Sequence, residues 1–167
     1  KEALDFILDE PDYLKEISLG RIEEIHALLI KELGVESNIR HRRVGITGTN
    51  GKTTTTALVG QITGEYFKSV FVVGNIGNAY TKEALKTMEE SVTVAEISSF
   101  QLETAMDFHP HVSAVLNITP DHLNRHHTME EYVRVKESIA KNQTKEDFCV
   151  LNFEDSYTKD FGPRCNA

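Results

Sequence analysis

The sequence is poor in cysteine and proline and contains no long hydrophobic run. Its 167 residues include two cysteines, Cys149 and Cys165, whose separation fits neither a metal site nor a redox pair. With four prolines and 26 % charged residues, the composition excludes collagen-like, low-complexity and largely disordered chains. No apolar segment approaches the roughly 18 to 20 residues of a membrane span. We therefore expect one compact globular domain.

Basic residues are also in the minority. Asp and Glu number 26 against 18 Lys and Arg, which gives a formal net charge of −8. Because an acidic chain is repelled by a polyphosphate backbone, we expect no nucleic-acid partner. The N-terminus lacks the basic and then apolar arrangement of a secretory signal, so the expected location is the cytoplasm.

From residue 43 onward, short apolar segments alternate with helical segments. The apolar segments are rich in β-branched residues and barely alternate in polarity, which is typical of strands buried on both faces. They are residues 44–47, 70–73, 92–95, 112–116 and 148–151, and the helices predicted between them are 52–65, 80–89, 99–106 and 129–142. This alternation predicts an α/β fold with a three-layer α/β/α arrangement and a mostly parallel sheet.

The residues before the first strand have a different pattern. Helical spacing of Ile22, Ile25, Leu29 and Leu33 predicts an amphipathic helix over 20–33, and a shorter helix is predicted over 2–8. We interpret residues 1–42 as an N-terminal helical segment and connector, and 43–167 as the α/β domain. Ligand sites in such sheets lie beyond the carboxyl ends of the strands.

The first strand is followed by the typical residues of a phosphate-binding loop. Glycines allow a tight turn that directs backbone N–H groups inward, and a lysine and a hydroxyl complete a site for phosphate and Mg²⁺. The spacing departs from the commonest P-loop pattern, since Ile46 replaces the first glycine, and Asn50-Gly51 alone would also fit a hairpin. The following residues do not alternate as a hairpin arm would. The sequence thus predicts a P-loop made of Gly48, Thr49, Asn50, Gly51, Lys52, Thr53 and Thr54.

Polar residues follow the second and third strands. Asn75 lies between Gly74 and Gly77, where it fits either a strand-to-helix turn or a ligand contact. Glu96 ends the third strand, where it could bind the Mg²⁺ of a nucleotide or interact with a helix dipole. Because a carboxylate on an apolar strand needs a partner to offset its desolvation, we favour the metal role.

Five histidines lie between residues 109 and 127 and invite a zinc hypothesis. However, His109 and His111 precede the fourth strand, at the opposite end of the sheet from residues 119–127. We therefore interpret the histidines as surface residues, apart from His122. With Asp121, His122 follows the fourth strand, where Glu96 and Lys52 also converge.

The last predicted helix begins at a capping-box pattern, Thr128 to Glu131, and continues to about residue 142. Lys136 lies on its apolar stripe with Tyr132 and Ile139. A lysine in such a position most often packs its aliphatic stem and extends its ammonium group into water.

Together these motifs resemble the ATP-dependent Mur ligases of peptidoglycan synthesis. The resemblance covers residues 43–161, and the string from Ser98 to Leu102 is similar to that of the members that add D-glutamate. The matching segments are residues 45–54, 74–77, 96–103, 116–125 and 132–136.

The resemblance implies roles for the nucleotide-binding and metal-binding residues, with ATP and Mg²⁺ as cofactors. By this likeness, Lys52 would contact the ATP phosphates, while Thr53 and Glu96 would bind one Mg²⁺ and His122 a second. Lys136 would be carbamylated by CO₂, and the resulting anion could bridge to metal. Lys52, Lys136 and His122 are the expected catalytic residues.

It also implies the substrates and the reaction. Asn75, Ser98 and His122 would hold a nucleotide-sugar, UDP-N-acetylmuramoyl-L-alanine, near the γ-phosphate. Its carboxylate would be phosphorylated to an acyl phosphate, which the amine of D-glutamate would attack to form an amide. This chain would carry only the ATP-binding part of a longer three-domain enzyme.

Residues 1–34 resemble a different branch of the same ATPase fold, the N-terminus of folylpolyglutamate synthases. Two alternatives therefore stay open. The chain could belong to a folylpolyglutamate synthase-like ligase, or it could be a non-catalytic nucleotide-binding fragment or an engineered chimera.

Overall fold

The computed structural model describes residues 42–162, which form one five-stranded sheet with every strand pair parallel. The strand order is β2-β3-β1-β4-β5. The strands are β1 (Arg42–Thr47), β2 (Ser69–Gly74), β3 (Ser91–Glu96), β4 (Val112–Val115) and β5 (Phe148–Leu151). The predicted α/β fold with a parallel sheet is confirmed. The helices predicted over 2–8 and 20–33 lie outside the described residues.

Helices connect the strands in the predicted alternation. They are α1 (Lys52–Gly64), α2 (Tyr80–Ala84), α3 (Ser99–Thr104), α4 (Leu123–His126) and α5 (Met129–Glu137), with 3₁₀ turns at Ser138–Ala140 and Thr158–Asp160. None of the helices between residues 42 and 162 is long and apolar enough to cross a bilayer.

Two helices, α2 and α5, each end five residues before their predicted ends, and a third helix, α4, was not predicted. The helix predicted over 80–89 ends at Ala84, because the carbonyl of that residue accepts both the N–H and the hydroxyl of Thr87 and the chain turns toward β3. The helix predicted to reach 142 changes to a 3₁₀ turn after Glu137. The unpredicted α4 has only four residues, too few to show a period, and follows His122 in a left-handed conformation (φ 51°).

The sheet separates two apolar layers. On one face Ile46, Val92 and Val94 pack with Val59 of α1. The other face carries the larger core, to which Ala95, Val115, Leu102 of α3 and Val135 of α5 contribute. Strand β3 lies between both layers, and all six of its residues are buried.

The prediction that the last strand is buried on both faces is wrong for the described residues. Phe148 and Val150 of β5 are 67 % and 56 % exposed, whereas Cys149 and Leu151 pack against the larger core. The reason is topological, because β5 is an edge strand and α1 packs over β1, β2 and β3.

Candidate functional site

The candidate site lies beyond the carboxyl end of β1, which is the central strand. Its neighbours β3 and β4 run parallel to it, so the residues that follow all three strands meet at one edge of the sheet. The phosphate loop after β1 is therefore flanked by Glu96 on one side and by residues 117–121 on the other.

The loop has the geometry of an anion site. Helix α1 begins directly after Gly51, and its first helical hydrogen bond runs from Thr55 N–H to Gly51 C=O at 3.0 Å. The N–H groups of the first turn have no partner within the helix and point toward the loop at the positive end of the helix dipole. The Lys52 ammonium donates to the carbonyl of Thr49 at 2.8 Å. This helix start excludes the hairpin alternative for Asn50-Gly51.

Glu96 is the buried carboxylate of the site. It is 2 % exposed, and its two oxygens accept hydrogen bonds of 2.8 Å from the Thr53 hydroxyl and the Asn75 amide. Asn75 also lies in a turn, in which Gly77 N–H donates to Gly74 C=O. The partners of Glu96 therefore lie on α1 and in the β2–α2 turn rather than at the start of α3, where a dipole interaction would have placed them.

Gly74 makes the contact between this turn and β3 possible. Its φ is 95°, and a Cβ atom there would come within 2.2 Å of the Glu96 carbonyl oxygen. Only glycine allows the strand end to approach this closely and turn away.

Lys136 lies beneath the phosphate loop. It is 2 % exposed, and its ammonium donates to the Gly48 carbonyl at 2.8 Å and toward the Thr47 hydroxyl at 3.4 Å. The extension into water that helical periodicity alone favours is therefore wrong, because α5 packs this face against β1. Burial lowers the pKa of Lys136 to about 7, aided by the charge of Lys52 and opposed by Asp121 and Glu96.

His122 follows β4 as predicted, but its contacts differ from those of Glu96. Its imidazole is about half exposed, lies 3.4 Å from the Asp121 carboxylate, and has its ring centroid 4.9 Å from that of Phe100. Thus the structure joins Thr53 to Glu96, whereas the described contacts of His122 and Lys136 are with other residues.

Ser98 has a role in helix capping that the sequence reasoning missed. Its N–H donates to the Gln101 side chain at 2.9 Å, and its hydroxyl accepts the Gln101 N–H at 3.3 Å. This capping box holds the start of α3 beside the site. The signal was present, since Ser-x-x-Gln is the same pattern that was recognised at Thr128.

One histidine differs from the expectation of a surface residue. His126 is 3 % exposed, and its Nε2 lies 3.0 Å from the Ser99 hydroxyl because α4 packs against α3. Burial is the main cause that lowers its pKa. His109 and His111 do precede β4 and lie at the other end of the sheet from His122.

The residues present fit a hard cation at one position. The Thr53 hydroxyl and the Glu96 carboxylate supply oxygen ligands of the kind that Mg²⁺ prefers, next to the loop predicted to bind phosphates. No cluster of three His, Cys, Asp or Glu side chains suited to a metal ion is found between residues 42 and 162.

The fold and the loop define a parallel α/β domain of the phosphate-loop class. The family model for the Mur ligase middle domain matches residues 46–165. The chain belongs to this family.

Curated relatives carry one description. A UDP-N-acetylmuramoylalanine--D-glutamate ligase of Lachnospira eligens is 71 % identical over 124 residues, which are 74 % of this chain and 28 % of the relative. A ligase of the same description from Lachnoclostridium phytofermentans is 53 % identical over an alignment that covers 100 % of this chain and 37 % of the relative. The chain thus spans about a third of the length of these relatives. The second alignment includes residues 1–34. For these residues it favours a resemblance to the D-glutamate ligase over the resemblance to folylpolyglutamate synthases.

Solved structures show the same fold. The MurF ligase of Thermotoga maritima, in complex with ADP, matches with a TM-score of 0.65 and 23 % identity over 89 % of this chain and 36 % of that chain. A MurF structure from Acinetobacter baumannii matches with a TM-score of 0.58 and 20 % identity over 74 % of this chain and 29 % of that chain.

Proposed function

We propose that this chain is the ATP-binding part of an ATP- and Mg²⁺-dependent ligase that adds D-glutamate to UDP-N-acetylmuramoyl-L-alanine. The observation that carries the proposal is the phosphate loop at the start of α1, flanked by the Glu96–Thr53 pair. The descriptions of the curated relatives support the choice of substrates. Such a ligase would work in the cytoplasm, where ATP is supplied.

The chain's own residues suit phosphoryl transfer. In that reaction the protein mainly positions the reactants and neutralises the charge on the transferring group. The N–H groups of residues 52–54 would bind phosphate oxygens, and Lys52 would exchange its bond to the Thr49 carbonyl for a phosphate oxygen. Thr53 and Glu96 would hold Mg²⁺, which supplies further charge neutralisation when bound.

Lys136 would serve as a carbamate. Reaction with CO₂ requires a neutral amine, and burial supplies one near neutral pH by lowering the pKa to about 7. Attack of the neutral amine on CO₂ would form an N–C bond and release one proton to solvent, which would leave an anion in place of the buried ammonium beneath the loop. This carbamate would be available to hold a second cation, for which we propose His122 as a further ligand.

The substrate side of the site is proposed for Asn75, Ser98 and His122. Asn75 and His122 are exposed and flank the loop on opposite sides, so they can reach a ligand placed over the phosphates. Ser98 would keep its capping role and offer its remaining hydrogen-bonding capacity to the same ligand.

A binding experiment tests the nucleotide proposal. We expect Mg-ATP to bind the full chain in calorimetry and Lys52→Ala to remove most of that binding, because the variant lacks the charge at the β- and γ-phosphates. Lys145→Ala, which removes an exposed lysine before β5, is the matched control and should bind as wild type does. Equal affinity of Lys52→Ala and wild type would contradict the proposal.

A further inference from the structure

Asn117 lies where β4 meets the phosphate loop. The ladder between β1 and β4 ends at Thr47 and Val115, but backbone contacts continue beyond it. Leu116 N–H donates to Thr47 C=O at 3.0 Å, and Thr49 N–H donates to Asn117 C=O at 2.9 Å. The approach is close, since a Cβ atom on Gly48 would lie 3.1 Å from the Leu116 Cβ.

At the next residue of the loop, Asn50, the hydrogen bonds come from the side chain of Asn117 and no longer from its backbone. Its Oδ1 accepts the Asn50 N–H at 2.9 Å, and its Nδ2 donates to the Asn50 C=O at 3.0 Å. A carboxamide carries the same donor and acceptor as a peptide group, so it can pair with a residue that has already left the strand direction. Aspartate lacks the donor, and alanine lacks both groups.

We propose that Asn117 is a positioning residue for the phosphate loop, which fixes Asn50 and with it the direction of the loop's N–H groups. This inference rests on the proposed nucleotide-binding function, because it concerns how one residue of the nucleotide-binding loop is held in place. Asn117 would act through Asn50 and would not itself touch the reacting atoms.

Calorimetry with nucleotides and the full chain tests the inference. We expect Asn117→Ala to bind Mg-ATP about tenfold more weakly, the equivalent of one or two lost hydrogen bonds. Asn117→Asp should also bind more weakly, with a greater loss for ATP than for AMP, because it places a carboxylate beside a site for phosphate charge. Asn152→Ala is the matched control, since the Asn152 amide donates to the carbonyl of Leu116 (3.1 Å), the residue that follows β4 and precedes Asn117, and its side chain has no hydrogen bond to the loop. It should bind as wild type does.

Amide hydrogen exchange measured by NMR separates positioning from general packing. In Asn117→Ala the Asn50 N–H should exchange faster, whereas Asn117→Asp, which keeps the acceptor, should leave it protected. Unchanged affinity in both variants, or faster exchange throughout β1 and β4, would overturn the inference while the function stands. If wild type does not bind Mg-ATP, the proposed function fails and the inference fails with it.

Discussion

The buried amine of Lys136 should make the stability of the domain depend on pH. Its pKa in the folded chain is about 7, against about 10.4 in an unfolded chain. Below pH 7 both states hold the proton, and the folded state bears the full penalty of a buried charge. Between these two values the unfolded state holds more protons than the folded one, so the free energy of unfolding rises with pH.

Urea unfolding at several pH values in CO₂-free buffer measures this effect. We expect the free energy of unfolding of wild type to rise from pH 7 to 9, relative to Lys136→Met, with a slope of at most about 1.4 kcal/mol per pH unit. Lys145→Met, which removes an exposed lysine, should keep the wild-type slope. Parallel pH profiles for wild type and Lys136→Met would contradict the burial of this amine.

Glu96 should couple nucleotide affinity to Mg²⁺. Glu96→Gln keeps the size of the side chain and can still accept from Thr53, but it removes the negative charge that a cation requires. Calorimetry with ATP should show that adding Mg²⁺ tightens binding to wild type and has little effect on the variant. Glu146→Gln, at an exposed position before β5, should respond to Mg²⁺ as wild type does. An equal response of Glu96→Gln would remove Glu96 from the metal site.

At the scale of elements, α5 depends on its N-terminal cap. The Thr128 hydroxyl accepts a hydrogen bond from the Glu131 N–H at 3.1 Å. Tyr132 and Lys136, which follow in the same helix, are both buried. Thr128→Ala should lower the free energy of unfolding by about 1 kcal/mol, as the loss of a threonine cap typically does. Thr104→Ala, at the exposed end of α3, serves as control in the same urea titration and should change it little. Equal midpoints for both variants would contradict the cap's contribution.

The strands were predictable because each contains a short run of β-branched or apolar residues, and the bounds of all five lie within two residues of the predicted positions. The predictions that were wrong concern features that are set by contacts within the folded structure. The end of α2 is set by a hydrogen bond of Thr87, and the exposure of β5 by its position at the edge of the sheet. Neither of these two features produces a hydrophobic periodicity in the sequence.

The sequence predicts those parts of the site that depend only on which residues follow each parallel strand. The carboxyl-end rule brings Thr53, Asn75 and Glu96 together, and the structure joins them by hydrogen bonds. The carboxyl-end rule does not predict that Asn117 pairs with Asn50, which is 67 residues away in the sequence. Nor does it predict that His126 is buried against Ser99, 27 residues away. Such contacts depend on how α4 and the β4 loop pack, and residue spacing carries no information about that.

At the scale of the whole molecule, two carboxylates hold the edge strand β5 at its opposite ends. Before the strand, Asp147 accepts the Thr144 N–H at 2.7 Å and pairs with His109 at 2.6 Å. After it, Asp155 accepts the Ile118 N–H at 2.9 Å. The N–H groups of Tyr157 and Thr158 also donate to Asp155, at 3.0 Å each. Burial acts to raise the pKa of both carboxyl groups, but the hydrogen bonds that each one accepts together outweigh burial and hold each pKa below its ordinary value.

This arrangement predicts how the domain responds to acid. A carboxyl group with a lowered folded pKa stabilises the fold fully above its unfolded pKa of about 3.9, and the contribution is lost as pH falls toward the folded value. Asp155→Asn should therefore be less stable than wild type at pH 7, by about 1 to 3 kcal/mol, and should lose less further stability between pH 5 and 3. Circular dichroism during urea unfolding at each pH measures both differences. Asp160→Asn, an exposed neighbour, should follow wild type throughout. If Asp155→Asn and wild type lost stability equally on acidification, the attachment of β5 to β4 would not depend on this carboxylate.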